Sequence, residues 1–420
     1  MTVVDPDLIA DAVFEKFRQL PARRKPQVRD NGVHEWVPLS GIVAAQNGTL
    51  TCLAVATGMK CLPASKIPQA NGIGLHDWHA EILVLRAFNR FLLSACHQML
   101  LNKSSELGIL RYRTDEQRGP YNPQGTQDWE GQPFAIADDV RLYMYCSEAP
   151  CGDASMELTM ATQEDASPWD APVEAGEDAT TTSADPSMPG RGFFSQLGIV
   201  RRKPARADAP PTLSKSCSDK MAIRQCTSIL SSLTALFIHP GNAYIDVVVL
   251  PQSQYSVTGC QRSFSSEGRM SALKDKTWAG GYAFHPFHVE TTAREFENSK
   301  RAVEAKSGTV GASNLAAAWN ANGLNEGLIG GVLQGRRAFD IKGASSTSRR
   351  QMWTLARETA SLLHSTERDL RASLSAASYA DIKAGELSLP RRTVVDQVRS
   401  ESLTGWAENT GDDSFALDSQ

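Results

Sequence analysis

The sequence predicts an α/β sandwich, because strand and helix signals alternate along its first third. Residues 34–45 and 50–57 indicate two strands joined by the turn Gln46-Asn47-Gly48, which is a strong hairpin signal. A helix follows Asp77, a good N-cap, and its apolar residues recur with helical spacing. Residues 140–145 then form an apolar segment typical of a buried strand. Strand, strand, helix and strand is the order in which such a sandwich begins.

Four further segments complete the predicted order. Residues 6–20 are apolar at helical spacing, which indicates an amphipathic first helix. Residues 113–139 are polar and rich in Gly, Pro and Gln, and we expect them to form a long surface loop. A helix is predicted to start at Cys217 and to continue past Leu236, and residues 244–250 indicate another buried strand.

Length and composition describe an ordinary globular protein. The chain has 420 residues, enough for one large domain or two, and 41% of them are hydrophobic. Its eight cysteines are scattered without a disulfide-like spacing, which favours a reducing compartment. The N-terminus carries no secretory signal, and no apolar run is long enough to span a membrane. We therefore expect an intracellular protein, in the cytoplasm and/or the nucleus, with no membrane contact and no evident protein partner.

The net charge of −4 hides an uneven distribution. Residues 160–190 hold seven Asp and Glu and no Lys or Arg, which leaves +3 for the rest of the chain. Residues 161–192 are low in complexity, so we expect a disordered acidic insertion there. Around it, residues 1–420 are expected to form a single domain whose last part, 300–420, is a helix-rich extension. In that extension, residues 314–319 and 348–370 are predicted to be helical.

Three stretches carry side chains that suit a metal ion. His79 and Glu81 fall in the first turn of the predicted helix, where backbone amides lack intrahelical partners. Cys151 and Cys217 are each predicted at the start of a helix, which favours the thiolate form of cysteine. One His and two thiolates make three ligands, and zinc with three protein ligands keeps a position for water. The alternatives are a core histidine beside a capping glutamate, and a structural zinc module, which would want a fourth ligand.

These stretches resemble the motifs of the RNA adenosine deaminases, a family that includes the double-stranded RNA editing enzymes and a tRNA-specific type. The matching motifs are His-Ala-Glu at 79–81, Pro-Cys-Gly-Asp at 150–153 and Ser-Cys-Ser-Asp-Lys at 216–220. Further likeness at 57–61 and 405–408 extends the resemblance over nearly the whole chain. The resemblance implies a cytidine-deaminase-like α/β/α sandwich with a helix-rich C-terminal extension.

The resemblance also implies the chemistry, which is zinc-dependent hydrolytic deamination of adenosine to inosine. His79, Cys151 and Cys217 would hold Zn²⁺, and Glu81 would be the general acid/base that takes the proton of the attacking water. The N-terminal segment leaves no room for duplex-binding modules, and Ser155 resembles the tRNA branch. This favours tRNA as the partner, at the adenosine immediately 3′ of the anticodon of alanine tRNA. A deaminase for cytidine or duplex RNA, and an inactive deaminase-fold RNA-binding subunit, stay open, although such subunits typically lose the catalytic glutamate.

A second cofactor, inositol hexakisphosphate, is implied by the resemblance alone, since the family's enzymes bury it beneath the active site. A multiply charged anion in a protein core needs many Lys and Arg donors. Leu85 and Ile223 stand where the family has arginines, so the donor set departs from the family pattern. The matching positions, with Asp77 and Lys220 linking the zinc site to the phosphates, are Asp77, Arg86, Lys220, Tyr379, Lys383 and Trp406.

Four basic residues near the motifs are candidates for RNA phosphate contacts. They are Arg24, Lys60, Lys203 and Arg206. Arg24 lies in a basic loop after the first helix, whereas Lys203 and Arg206 lie in a basic run on the approach to Cys217. The alternative for each is a solvated surface charge, and it holds for most basic residues in the last third of the chain.

Overall fold

The structure, a computed structural model, describes residues 4–102, 107–118, 129–162, 188–189, 196–203, 209–364 and 367–417. The α-helices in these residues are α1 Pro6–Gln19, α2 Ala80–Asn102, α3 Asp115–Arg118, α4 Met156–Ala161, α5 Cys217–Thr227, α6 Val257–Phe264, α7 Lys300–Lys306, α8 Arg349–Ser361, α9 Arg368–Leu374, α10 Tyr379–Ala384 and α11 Leu389–Glu401. The strands are β1 His34–Trp36, β2 Leu39–Gln46, β3 Thr49–Thr57, β4 Leu110–Tyr112, β5 Phe134–Ile136, β6 Arg141–Cys146, β7 Met188–Pro189, β8 Arg201–Arg202, β9 Ile238–His239, β10 Val247–Pro251, β11 Thr277–Trp278, β12 Tyr282–Ala283, β13 His288–Thr292, β14 Val310–Ala312, β15 Ala316–Asn320, β16 Asn325–Ile329 and β17 Val332–Leu333.

The centre of the fold is a mixed sheet of eight strands in the order β13-β10-β6-β2-β3-β15-β16-β17. Strands β6, β10 and β13 run parallel to one another, and the other neighbours are antiparallel. Strands β2 and β3 form the predicted hairpin. Its turn residues, Asn47 and Gly48, both have positive φ, as a two-residue type I′ turn requires.

One helical layer covers each face of this sheet. Neighbouring residues of a strand point to opposite faces, so Val43 packs with Phe17 of α1 whereas Ile42 packs in the main core with α2. Most apolar residues of α2 are buried, with Phe88 and Phe91 at its centre, whereas Leu101 near its end is exposed. This arrangement confirms the α/β/α sandwich that the sequence predicts.

The last third of the chain departs from the predicted helices. The segment 314–319, expected to be helical, lies largely in β15, which pairs with β3 and β16 inside the central sheet. Alanines at 316–318 favour a helix locally, but they are buried between two strands, and tertiary pairing overrides such weak propensities. The predicted helix at 348–370 is divided into α8 and α9. Helix α8 packs on α2, and α11 packs on α5.

Three other boundaries differ from the sequence predictions. The first predicted strand is divided into β1, which pairs with β14, and β2. The helix that begins at Cys217 ends at Thr227, because Ser228 has a φ of 55°. The predicted loop at 113–139 contains α3 and β5.

The predicted acidic insertion falls mostly on residues that the structure does not describe. Of residues 161–192, the segments 163–187 and 190–192 lie outside the described ranges. Among the described helices, none is long and apolar enough to cross a membrane.

Candidate active site

The start of helix α2 holds His79 at a defined position. The helix begins at Ala80, and the carbonyl of His79 accepts hydrogen bonds from the N–H groups of Ile82 at 3.0 Å and Leu83 at 2.8 Å. Asp77 is therefore not the N-cap that the sequence predicts. Its Oδ1 accepts a hydrogen bond from the N–H of His79 at 3.0 Å, which fixes the backbone just before the helix.

The end of strand β3 is pressed against the same segment. The carbonyl of Gly58 accepts a hydrogen bond from the N–H of Ala80 at 2.8 Å. Gly58 has a φ of 141°, and a Cβ there would overlap the carbonyl of Trp78. Only glycine allows this approach, so the motif at 57–61 supports the start of α2.

A tight turn at Gly152 places Cys151 beside the start of α5. Cys217 is the first residue of that helix, and its N–H lies 3.4 Å from Sγ of Cys151. Ser216 caps the helix by accepting a hydrogen bond from the N–H of Asp219 at 3.1 Å. Gly152 has a φ of 105°, and a Cβ there would overlap the Ser216 side chain. A larger residue at position 152 would push the two cysteines apart.

His79, Cys151 and Cys217 come together, as the sequence predicts. Nδ1 of His79 lies 3.9 Å from Sγ of Cys151, and the three candidate ligand atoms lie within 4.8 Å of one another. A hydrogen bond from Cys217 lowers the pKa of Cys151 well below its ordinary value, whereas burial raises the pKa of Cys217. One imidazole and two sulfurs at this spacing could hold a metal ion such as Zn²⁺, and three protein ligands are the number typical of catalytic zinc sites.

Glu81, in the first turn of α2, carries a carboxyl oxygen without a partner. The residue is only 4% exposed, and its Oε2 makes no hydrogen bond to any described residue. Burial raises the pKa of Glu81 above the ordinary value for a glutamate. Burying such an atom unpaired is costly, so it is expected where a bound molecule supplies the missing partner. The arrangement can therefore bind a metal ion and move protons beside it.

Lys203 is expected from the sequence to contact RNA, and that prediction is wrong. Its side chain is buried, with Nζ 2.8 Å from Oδ2 of Asp77 and 3.2 Å from Sγ of Cys217. Lys220 and Ser214 also donate hydrogen bonds to Oδ2 of Asp77. Burial alone would raise the pKa of Asp77, but the two lysines lower it well below its ordinary value. Lys203 therefore joins a cysteine of the candidate metal site to Asp77.

A cavity of about 480 Å³ lies beside Asp77, Ser214 and Lys220, which form part of its wall. All six residues that the resemblance implies for inositol hexakisphosphate line it, and so do Leu85 and Ile223, where the family has arginines. The basic residues of its wall outnumber the acidic ones by nine to four. They are Arg86, Lys215, Lys220, Arg224, Arg349, Lys383, Arg391, Arg392 and Arg399, against Asp77, Asp396, Glu408 and Asp413.

The arginines around the cavity are half-buried. Burial, together with neighbouring arginines, lowers the pKa of Arg224 to about 9. Burial also lowers the pKa values of Arg86 and Arg391. Lys383 has a partial counter-charge, since its Nζ lies 3.6 Å from a carboxylate oxygen of Asp413. Cations that are partly withdrawn from water and exceed their counter-charges are costly, so this wall fits an anion of several charges.

Two of the remaining RNA candidates lie at or near the protein surface. Lys60 is exposed, and its Nζ donates a hydrogen bond to Oδ1 of Asn314. Arg24 is half-buried and donates to Oε1 of Gln334 at 3.2 Å. Arg206 lies outside the described residues. RNA binding by Lys60 and Arg24 stays a prediction.

Two buried carboxylates that the sequence analysis missed hold the cysteine turns. Asp153 and Asp219 each follow a cysteine by two positions and are fully buried. Nε of Arg262 donates to Asp153 at 3.0 Å, and Nη1 of Arg269 donates to Asp219 at 2.6 Å. The Cys-x-Asp spacing that the two motifs share is the sequence signal that could have found them.

Comparisons with known proteins agree with this geometry. The family model described as the adenosine-deaminase (editase) domain matches residues 54–410. The chain is similar to tRNA-specific adenosine deaminase 1 of Schizosaccharomyces pombe, with 33% identity over 415 residues, which cover 97% of this chain and 96% of that protein. It is also 32% identical to the Saccharomyces cerevisiae protein of the same name over 252 residues, 58% of each chain. The Homo sapiens protein of that name matches at 32% over 126 residues, 30% of this chain and 23% of that protein.

Proposed function

This chain belongs to the adenosine-deaminase (editase) family and is a deaminase, and we propose that it converts adenosine to inosine in tRNA. The observation that carries the proposal is the group formed by His79, Cys151 and Cys217 beside the unpartnered carboxyl of Glu81. Similarity over nearly the full length of a tRNA-specific relative supports tRNA as the substrate. We propose that residues 1–420 act as one domain, inside the cell in the cytoplasm and/or the nucleus.

In this proposal His79, Cys151 and Cys217 would hold Zn²⁺. The ion would supply a Lewis acid that lowers the pKa of water toward neutrality. Glu81 takes the proton from the water that attacks C6 of adenine, and it passes protons to the ring nitrogen and to the departing amino group. Adenosine and water thereby give inosine and ammonia. Because Glu81 is enclosed by protein, its proton is exchanged with the substrate rather than with bulk water.

The buried pair of Lys203 and Asp77 positions one of these ligands, Cys217. Lys203 donates to Sγ of Cys217 and pairs with Asp77, so a positive charge stabilises the thiolate form of Cys217. We propose that inositol hexakisphosphate occupies the adjoining cavity, where its phosphates would offset the excess of Lys and Arg. Lys220 lines that cavity and pairs with Asp77, so the anion would be linked to Cys217 through side-chain contacts.

The finer substrate assignment is the adenosine immediately 3′ of the anticodon in alanine tRNA. An anticodon loop already presents unpaired bases, so a deaminase acting there needs little energy to expose its target. An inactive RNA-binding subunit is the rival from another class, and the retained Glu81 argues against it.

The test is to incubate purified protein with a transcript of alanine tRNA, a long RNA duplex and free adenosine. Inosine is measured by nuclease digestion and mass spectrometry, and its position by sequencing. We expect inosine next to the anticodon of the tRNA and little in the duplex. A transcript with guanosine at that position is the matched control and should yield no inosine. Equal conversion of the duplex, or no conversion of tRNA, would contradict the proposal.

A further inference from the structure

Two loops meet at the β17 edge of the central sheet and form one basic surface. They are residues 22–25 and residues 334–342, and together they are called the two-loop surface. Arg24 in the first loop donates a hydrogen bond to Oε1 of Gln334 in the second, at 3.2 Å. Gly327 in β16 leaves room for this contact, because a Cβ there would overlap the Arg24 guanidinium.

Four cations of the two-loop surface have no ion-pair partner within the described chain. Arg23, Arg336, Arg337 and Lys342 are exposed, and none forms an ion pair with a residue in the described ranges. The loops contain one acidic residue, Asp340, and one of its oxygens is occupied by the backbone N–H of Lys342 at 2.8 Å. Burial, and after it the repulsion from Arg23, lowers the pKa of Arg24, while the charge of Glu326 in β16 opposes this shift. Exposed like charges without ion-pair partners favour a bound polyanion.

The two-loop surface is fixed to the segment that leads to His79. Immediately before the second loop, the carbonyl of Gly331 accepts a hydrogen bond from the N–H of Leu75 at 2.9 Å. A Cβ at Gly331 would stand 2.9 Å from the ring of Trp78, so the β16–β17 turn is packed tightly there. Phe339 packs against a small cluster formed by Ile73, Val332 and Ala344, which anchors the middle of the loop. The exposed cations are therefore held in a defined place relative to the catalytic segment.

We infer that the two-loop surface binds the phosphate backbone of the RNA substrate and sets its orientation at the active site. This inference rests on the proposed tRNA substrate. Arginine and lysine contacts to phosphates supply affinity and register, without reading sequence. An RNA helix that flanks an unpaired target base offers such a row of phosphates.

The test is the triple variant Arg336→Ala/Arg337→Ala/Lys342→Ala. Its affinity for fluorescently labelled alanine tRNA is measured by anisotropy at several salt concentrations, and its turnover is measured separately. We expect the Kd to rise roughly tenfold at low salt, and the slope of log K against log salt to fall by about 1 for each phosphate that is no longer neutralised. KM should rise while kcat stays unchanged, since these side chains do not touch the reacting atoms.

Two control variants test whether charge, and charge at this surface in particular, is responsible for the loss of affinity. Arg336→Lys/Arg337→Lys keeps the charge and should keep most of the affinity. Lys274→Ala/Lys276→Ala/Arg294→Ala removes three cations that lie outside the two loops and pair with carboxylates, and it should bind like the wild type. Wild-type affinity and salt slope in the first triple variant, or an equal loss of affinity in the second, would overturn the inference.

Binding and turnover are measured separately, so the two proposals can fail separately. A wild-type protein that binds tRNA through this surface but forms no inosine would contradict the proposed function and leave the surface supported.

Discussion

Replacing Lys203 by methionine is expected to destabilise the protein, although methionine has nearly the same shape. The ammonium group lies 2.8 Å from the buried carboxylate of Asp77. Breaking a buried ion pair by removing one partner costs about 3–5 kcal/mol, because the other charge stays buried. Asp77 would retain Lys220 and Ser214 as hydrogen-bond partners. We therefore expect the free energy of unfolding to fall by about 3 kcal/mol, the lower end of this range.

Urea unfolding followed by circular dichroism measures this loss of stability. The experiment is run with and without a metal chelator, because any group bound to the native state adds to the apparent stability. Lys274→Met is the control: its ammonium group pairs with Glu267 on the exposed surface, so unfolding should not change. The double variant Asp77→Asn/Lys203→Met should be less destabilised than the sum of the single variants, since it removes both charges of the pair together and leaves Lys220 hydrogen-bonded to Ser214. A Lys203→Met curve that overlays the wild type would refute this reasoning.

The remaining predictions concern the ligands and the cavity. Cys217→Ala should lose the bound metal, whereas Cys226→Ala, equally buried in the same helix, should keep it; metal analysis of the purified variants distinguishes them. Gly152→Ala should lower the free energy of unfolding by on the order of 1–3 kcal/mol and weaken metal binding, because φ is 105° and the new methyl group would overlap the Ser216 side chain. A variant with wild-type stability and wild-type metal affinity would contradict the close approach of the two turns. Acid extraction of wild-type protein should release inositol hexakisphosphate, which mass spectrometry detects. Lys220→Ala, which removes a cation of the cavity wall, should yield less soluble protein. Active enzyme that releases no inositol hexakisphosphate would exclude this cofactor.

The parts of the site predictable from sequence are those with local signals. His79 and Glu81 share one helix start, and each cysteine lies in a short motif at an element boundary, so pattern and geometry agree. The hairpin is predictable for the same reason, since its turn requires residues that tolerate positive φ.

The sequence predictions are wrong where distant contacts decide the outcome. A run of basic residues indicates a surface, and nothing near Lys203 in sequence reveals that its partner, Asp77, is 126 residues away. Alanines at 316–318 carry a helix preference of a few tenths of a kcal/mol each, and pairing with β3 outweighs it. Asp77 has the local features of a helix cap, and the lysines that pair with it cannot be foreseen from its neighbours.

The central claim is that Glu81 moves the protons of adenosine deamination beside a metal held by His79, Cys151 and Cys217. The most direct measurement compares Glu81→Gln with wild type in single-turnover reactions on alanine tRNA, together with the metal content of both proteins. The amide fits the same space but cannot accept the water's proton. We predict equal metal content and a rate of inosine formation at least about 100-fold lower. A variant that contains the metal and forms inosine at a rate close to wild type would contradict the claim.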